Sequence, residues 1–247
     1  MHIPEFKPVK ASWPCWRAPG RNLVYWANYK CASTLYRTFF ELLGWIETDS
    51  DTINWDQDYV FSYIRHPLIK QRKGIVENFV VNPQFRELIF LILQNNLWME
   101  LIARITCLDG HSETIENLLG DKSKYVYWIP IDTDIDHKQV TLEILNNHDI
   151  RINTTALDYL LQQDKVNSST ELESKFFSQL IKVPVPANVV RYVDFDQCLY
   201  DFVTKSKNFI PEKYQTRIHQ LKAQGYSQLS AEEIADREVK DGDFLKW

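Results

Sequence analysis

Three groups of residues have types and spacings that can do chemistry. The first is Tyr29-Lys30-Cys31-Ala32-Ser33-Thr34-Leu35. A lysine, two small residues and two hydroxyls stand just ahead of an amphipathic run. Helix N-termini present free amide hydrogens and a partial positive charge, which suit a phosphate or sulfate. Lys30 adds a full mobile charge, and Ser33 and Thr34 add hydroxyl donors. Small side chains at Cys31 and Ala32 let the backbone approach an anion. The second group is Arg65, followed by Lys70, Arg72, Lys73 and Gly74. Arg65 and Lys73 can grip a second anion through charge-assisted hydrogen bonds. The third is His111, flanked by Asp109 and Glu113, which can orient and tune an imidazole for proton transfer. Taken singly, each group has a plainer reading: a helix capped by Ser or Thr, a solvated basic helix face, an exposed loop histidine.

The elements that must carry these groups follow from hydrophobic pattern. Asn22–Asn28 is an apolar run that reads as a buried strand. Leu35, Phe39, Leu42 and Leu43 recur at helical spacing, and Gly44 is a natural stop. Residues 47–58 read as a polar connector. Tyr59–Ile64 is a second strand, running into Arg65-His66-Pro67, and a helix starts at about Leu68. Residues 84–106 read as one long buried helix, and Tyr125–Ile131 as a third strand. Short helices follow at Val140–Leu145 and over 154–182, the latter broken near 167–170. Val189–Val193 and Leu199–Val203 frame a late strand or helix. Strands alternating with helices predict a parallel α/β sheet with ligands at one strand edge. The expected division is an irregular N-terminal arm over 1–21, one domain over 22–205, and a helical C-terminal extension over 206–247 packed on that domain.

Composition narrows the function classes. The chain has 247 residues and a formal net charge of −5, which speaks against a broad nucleic-acid-binding surface. Only seven glycines argue against a flexible or fibrous chain, and eight tryptophans suit either a core, the default, or a pocket for a flat or sugar-like ligand. Its four cysteines lack any CxxC pair, so no zinc site or disulfide framework is expected. No apolar run is long enough for a membrane span, and residues 1–16 lack a secretory pattern. A cytoplasmic protein is expected. Nothing in the pattern indicates an oligomeric state.

The first group is not a nucleoside triphosphatase loop, GxxxxGK[ST]. Its glycines are missing, and Arg65 stands where those enzymes place a magnesium-binding aspartate. The residues instead resemble the sulfotransferase family, nearest its carbohydrate-modifying branch. That family's 5′-phosphosulfate loop runs lysine, small, small, Ser/Thr, Ser/Thr; here it reads Lys30-Cys31-Ala32-Ser33-Thr34. Its 3′-phosphate motif, an Arg-Asp-Pro-like strand end, reads Arg65-His66-Pro67. A late Tyr-x-x-Asp-Phe stretch is echoed, one residue shorter, by Tyr192-Val193-Asp194-Phe195-Asp196. The resemblance spans about residues 22–203. It departs at His66, where the family carries aspartate, and at Lys73, where it carries serine.

The resemblance implies a P-loop-NTPase-like fold and 3′-phosphoadenosine 5′-phosphosulfate (PAPS) as co-substrate, with 3′,5′-diphosphoadenosine (PAP) as product and no metal. It implies that Lys30 stabilises the leaving oxygen and that residues 31–35 (Cys31, Ala32, Ser33, Thr34, Leu35) cradle the phosphosulfate. Arg65 and Lys73 would hold the 3′-phosphate. The acceptor would be a hydroxyl or amine, in keeping with a carbohydrate or another small molecule. The base would be His111, with Glu47, Asp49 and Asp51 as rivals. A small-molecule kinase of related fold, or a non-catalytic nucleotide-binding module, are the competing readings.

Overall fold

The computed structural model describes residues 13–81, 94–162 and 170–205. Strand β1 (Pro14–Arg17) and β2 (Leu23–Trp26) form a hairpin. Its turn is set by Pro19-Gly20. The Arg21 amide donates to the Ala18 carbonyl, and Gly20 takes φ 67°, a left-handed value open to glycine. Residues 14–17, expected in an irregular arm, are thus a strand. A two-element hairpin needs only a tight turn, whereas parallel neighbours need a crossover.

Helix α1 (Ser33–Leu42) follows β2 and ends as its sequence predicts. Gly44 takes φ 77°, its amide bonds Glu41, and the Trp45 amide reaches back to Phe40, which is a Schellman stop. The chain then enters β3 (Ile46–Asp49), inside the segment expected to be a connector. The strand is short, polar and largely exposed, so alternation gave no apolar face to find. Next come β4 (Tyr59–Ile64) and α2 (Pro67–Val81), with Pro67 in the helix's first turn.

Of the long helix read over 84–106, α3 (Asn96–Ala103) is described; residues 84–93 lie outside the described residues. The helix ends earlier than expected. Gln71 Nε2 donates to the carbonyls of Ile105 and Thr106, drawing the chain away. The remaining elements are α4 (Ile115–Leu119), β5 (Val126–Pro130), α5 (His137–Asn147), α6 (Thr154–Gln162), α7 (Glu171–Leu180), α8 (Ala187–Tyr192) and α9 (Asp194–Lys205). The late segment is helical, as the four-residue steps Val189–Val193 and Leu199–Val203 allow. The extension read over 206–247 lies outside the described residues, as do residues 1–12.

The sheet order is β3-β1-β2-β4-β5. β2, β4 and β5 are parallel; β1 is antiparallel to both β2 and β3. The fold is therefore α/β with a mixed sheet, in place of the all-parallel sheet expected. Alternation sorts the side chains into two layers. Leu23, Tyr25, Phe61, Tyr63 and Ile129 face one core with α1, α5 and α6. Val24, Trp26, Val60, Ile64, Val126 and Trp128 face the other, with α4 and α9. A third cluster joins α2, α3 and α7 through Ile75, Phe79, Met99, Ile102 and Phe176. Trp13, Trp16, Trp26, Trp45 and Trp128 are all buried in these cores. All four cysteines are free. Among the described residues, no helix is long and apolar enough to cross a membrane.

Candidate active site

β2 and β4 are parallel neighbours, paired Leu23 with Tyr59 through Tyr25 with Phe61. Their C-terminal ends therefore emerge side by side, and so do the loops that follow. After β2 the chain turns tightly through residues 27–32. The Cys31 amide donates to the Asn28 carbonyl, and Asn28 Nδ2 ties the loop to the Tyr63 carbonyl at 2.9 Å. Lys30 and Ala32 both take left-handed backbone, φ 63° and 59°. Such conformations cost a non-glycine residue roughly 1–2 kcal/mol each, and left-handed residues in a tight turn are a usual ingredient of backbone anion nests. α1 starts from Ala32 with no side chain capping its N-terminus. The Ser- or Thr-capped helix that the sequence also allowed is not formed.

Arg65 follows β4 and closes this loop from the side. Its guanidinium donates to the Lys30 carbonyl at 2.7 Å. Lys30, Ser33, Thr34, Arg65, Lys73 and His111 line one cavity of about 350 Å³. That volume falls in the lower part of the range for small-molecule pockets, about 300–1,000 Å³. The groups that the sequence singled out from three separate segments thus meet in one place. Two of the loop residues do not line it: the side chains of Cys31 and Leu35 are buried in the core beneath. Of the basic run on α2, only Lys73 faces the cavity. Lys70 Nζ donates to the Glu113 carbonyl, and Arg72 to that of Val183.

The cavity's charges are arranged in mutual conflict. Burial pushes the Lys30 ammonium down to about 8; Glu173 and Asp109 pull it up, and Lys73 and Arg65 push it further down. Burial, then the repulsion of Arg65, likewise lowers Lys73. Cations that raise each other's energy in a half-buried hollow are relieved by an anion. Glu77, on the same α2 face as Lys73, contacts the Lys30 ammonium.

His111 lines the same cavity with its ring fixed from several sides. Its Nδ1 is 2.7 Å from Asp109 Oδ2, and its amide donates to Asp109 Oδ1. Burial raises the Asp109 carboxyl, but the His111 contacts outweigh it and hold it below its usual range. An ionised carboxylate only accepts, so Nδ1 carries the hydrogen and a neutral His111 keeps its Nε2 lone pair available. Tyr29 stacks on the imidazole with centroids 4.7 Å apart, and Trp13 in turn packs on Tyr29 at 4.7 Å. Residues 108–113 are wedged against α2 and Trp13. A Cβ on Gly74 would lie 2.4 Å from the His111 carbonyl oxygen, and one on Gly110 2.6 Å from the Trp13 ring.

Gly74→Ala is therefore expected to lose about 1–3 kcal/mol of unfolding free energy by overpacking, despite an intrinsic helix gain of about 1 kcal/mol. Urea denaturation measures it; a stabilised variant would show that the loop is not wedged.

The late Tyr192–Asp196 stretch braces the same loop. The Tyr192 hydroxyl donates to Glu113, which also accepts from Asn117. Asp196 accepts from the Ile115 and Glu116 amides at the start of α4. Glu113 thus anchors the loop, and Asp109 is the residue that orients the imidazole. The rivals Glu47, Asp49 and Asp51 are exposed on β3 and the turn after it, and do not line the cavity. His66 lies outside it too: its amide donates to Asp132, and its ring neighbours Tyr200.

No protein-family model, curated protein or solved structure matches this chain. The site therefore has to be read from its own residues. Arg37, Glu77, Glu173 and Phe177 also line it and were not singled out from sequence. Helical spacing could have found two of them: Arg37 is one turn from Ser33, and Glu77 one turn from Lys73. Glu173 and Phe177 come from α7, whose approach no local pattern announces. Among the described residues, no group of three or more His, Cys, Asp or Glu side chains is placed to hold a metal ion.

Proposed function

We propose that this chain is a PAPS-dependent sulfotransferase built on a P-loop-NTPase-like core. One observation carries the reading: Lys30, the α1 N-terminus, Arg65, Lys73 and His111 line a single cavity at the ends of β2 and β4. The 5′-phosphosulfate would rest on the amides of residues 32–34 and the hydroxyls of Ser33 and Thr34. Arg65 and Lys73 would take the 3′-phosphate. The lysine at position 73 serves as a point charge and does not need a serine's hydroxyl geometry.

In the proposed step, the acceptor oxygen or nitrogen attacks sulfur in line. The new acceptor–sulfur bond forms as the bond from sulfur to the bridging oxygen breaks, and that oxygen leaves with PAP. The acceptor proton passes to His111 Nε2, and Asp109 stabilises the imidazolium that results. Lys30 offsets the charge growing on the leaving oxygen. The acceptor is a hydroxyl- or amine-bearing small molecule, a carbohydrate among the candidates, and the expected location is the cytoplasm. PAPS turnover in excess EDTA, followed as PAP release with a panel of acceptors, tests this against a kinase. Magnesium-dependent ATP consumption with no PAPS turnover would reverse the assignment.

Arg65 has two tasks in this reading, holding the Lys30 carbonyl and the ligand. Arg65→Ala is expected to weaken PAP binding by about 2–5 kcal/mol, the loss for one partner of a desolvated charged pair. Titration calorimetry measures it, and equal affinity in both proteins contradicts it.

A further inference from the structure

An anion site does not ordinarily present a carboxylate to its own key cation, yet Glu77 does so here. Glu77 Oε2 is shut off from solvent with the Lys30 ammonium against it, while the rest of its side chain is partly exposed. Both residues line the cavity. We propose that Glu77 is a latch: it holds Lys30 away from the anion cradle, and a bound phosphosulfate displaces it. The inference rests on the sulfotransferase reading for the ligand's identity, but the latch itself rests on the Lys30–Glu77 pair.

The physical argument runs through the carboxylate left behind. Once Lys30 turns to an incoming anion, the partly buried Glu77 carboxylate loses that cation and faces new negative charge. A partly desolvated charge in that state is disfavoured. Ligand binding must therefore supply enough interaction to offset the lost pair, and a ligand that also engages Arg65 and Lys73 can do so. A small, singly held anion has less to offer. The latch thus favours a multiply charged nucleotide over simple anions. The charged and titratable groups around Lys30 are Glu77 and Lys73 from α2, Arg65 beyond β4, Arg37 from α1, Glu173 from α7, and Asp109 with His111 in the loop before α4. Of these, Glu77 is the one in contact with the ammonium.

Glu77 is a positioning residue in this scheme, and Glu77→Gln keeps its shape while removing its charge. Two readouts test the latch. The first is PAP affinity by calorimetry at about pH 6, where Lys30 is protonated in both proteins. Glu77→Gln is expected to bind at least about fivefold tighter, the lower end of ordinary coupling between sites. The second is the Lys30 titration in the free protein, followed by NMR after isotopic methylation of its amine. Loss of the carboxylate is expected to shift the midpoint downward. Equal or weaker PAP affinity in the variant overturns the latch, and so does an unmoved Lys30 midpoint. If neither protein binds PAP, the sulfotransferase reading fails, and the midpoint alone decides whether Glu77 governs Lys30. Equal melting temperatures confirm that the variant is folded.

Discussion

Alanine at Lys30 is expected to lower sulfuryl transfer by roughly 100- to 1,000-fold, the range for removing one preorganised donor from a developing oxyanion. The fold should survive. Lys30 sits in a loop with its ammonium turned to the cavity and Glu77, so truncation opens no gap in the sheet's cores. Alanine also adds no backbone strain, because neighbouring Ala32 already takes the same left-handed conformation. The effect should fall on the chemical step more than on PAP affinity, since Arg65, Lys73 and the loop amides remain. The wild-type pH profile should carry the same signature. Burial places the Lys30 ammonium at about 8 in the free protein. Lys30 acts as a cation, so kcat/KM should decline as pH rises through that value. Stopped assays of PAP release across pH 6–10 measure both effects. Unchanged turnover in Lys30→Ala would remove Lys30 from the mechanism.

His111→Ala is the second large loss, roughly 100- to 10,000-fold in turnover, the usual contribution of a positioned general base. PAP binding should be nearly untouched, because Lys30, Arg65, Lys73 and the loop amides that would hold the nucleotide all remain. Asp109→Asn refines the test. An amide can donate to Nδ1, which would move the hydrogen to Nε2 and remove the lone pair that accepts the acceptor's proton. Turnover should fall although the ring stays in place on Tyr29. A His111→Ala protein with normal turnover would return the search to other carboxylates. Glu47, Asp49 and Asp51 start at a disadvantage there, because they stand exposed and off the cavity.

The parts of the fold that were legible in the sequence have strong local signals. Leu35, Phe39 and Gly44 announce α1 and its stop, and the apolar runs announce β2, β4 and β5. β1 and β3 were missed for opposite reasons. Pro14–Arg17 lies in a segment rich in proline and tryptophan, whose irregular composition masked the Pro19-Gly20 turn that makes it a hairpin strand. Ile46–Asp49 is too short and polar to show a face. The site was legible wherever a residue sits at a strand end, because parallel neighbours must deliver Lys30 and Arg65 to one edge. It was illegible where tertiary packing decides. Trp13 props Tyr29 against His111, Tyr192 and Asp196 brace the His111 loop, and α7 brings Glu173 to the cavity. Each of those contacts joins segments far apart in the chain.

The most direct test of the central claim is a crystal structure of the protein with PAP. The account predicts the 5′-phosphate within hydrogen-bonding distance of the amides of residues 32–34 and the Lys30 ammonium, with the 3′-phosphate on Arg65 and Lys73. PAP bound elsewhere, or a cavity that excludes it at saturating concentration, would contradict it.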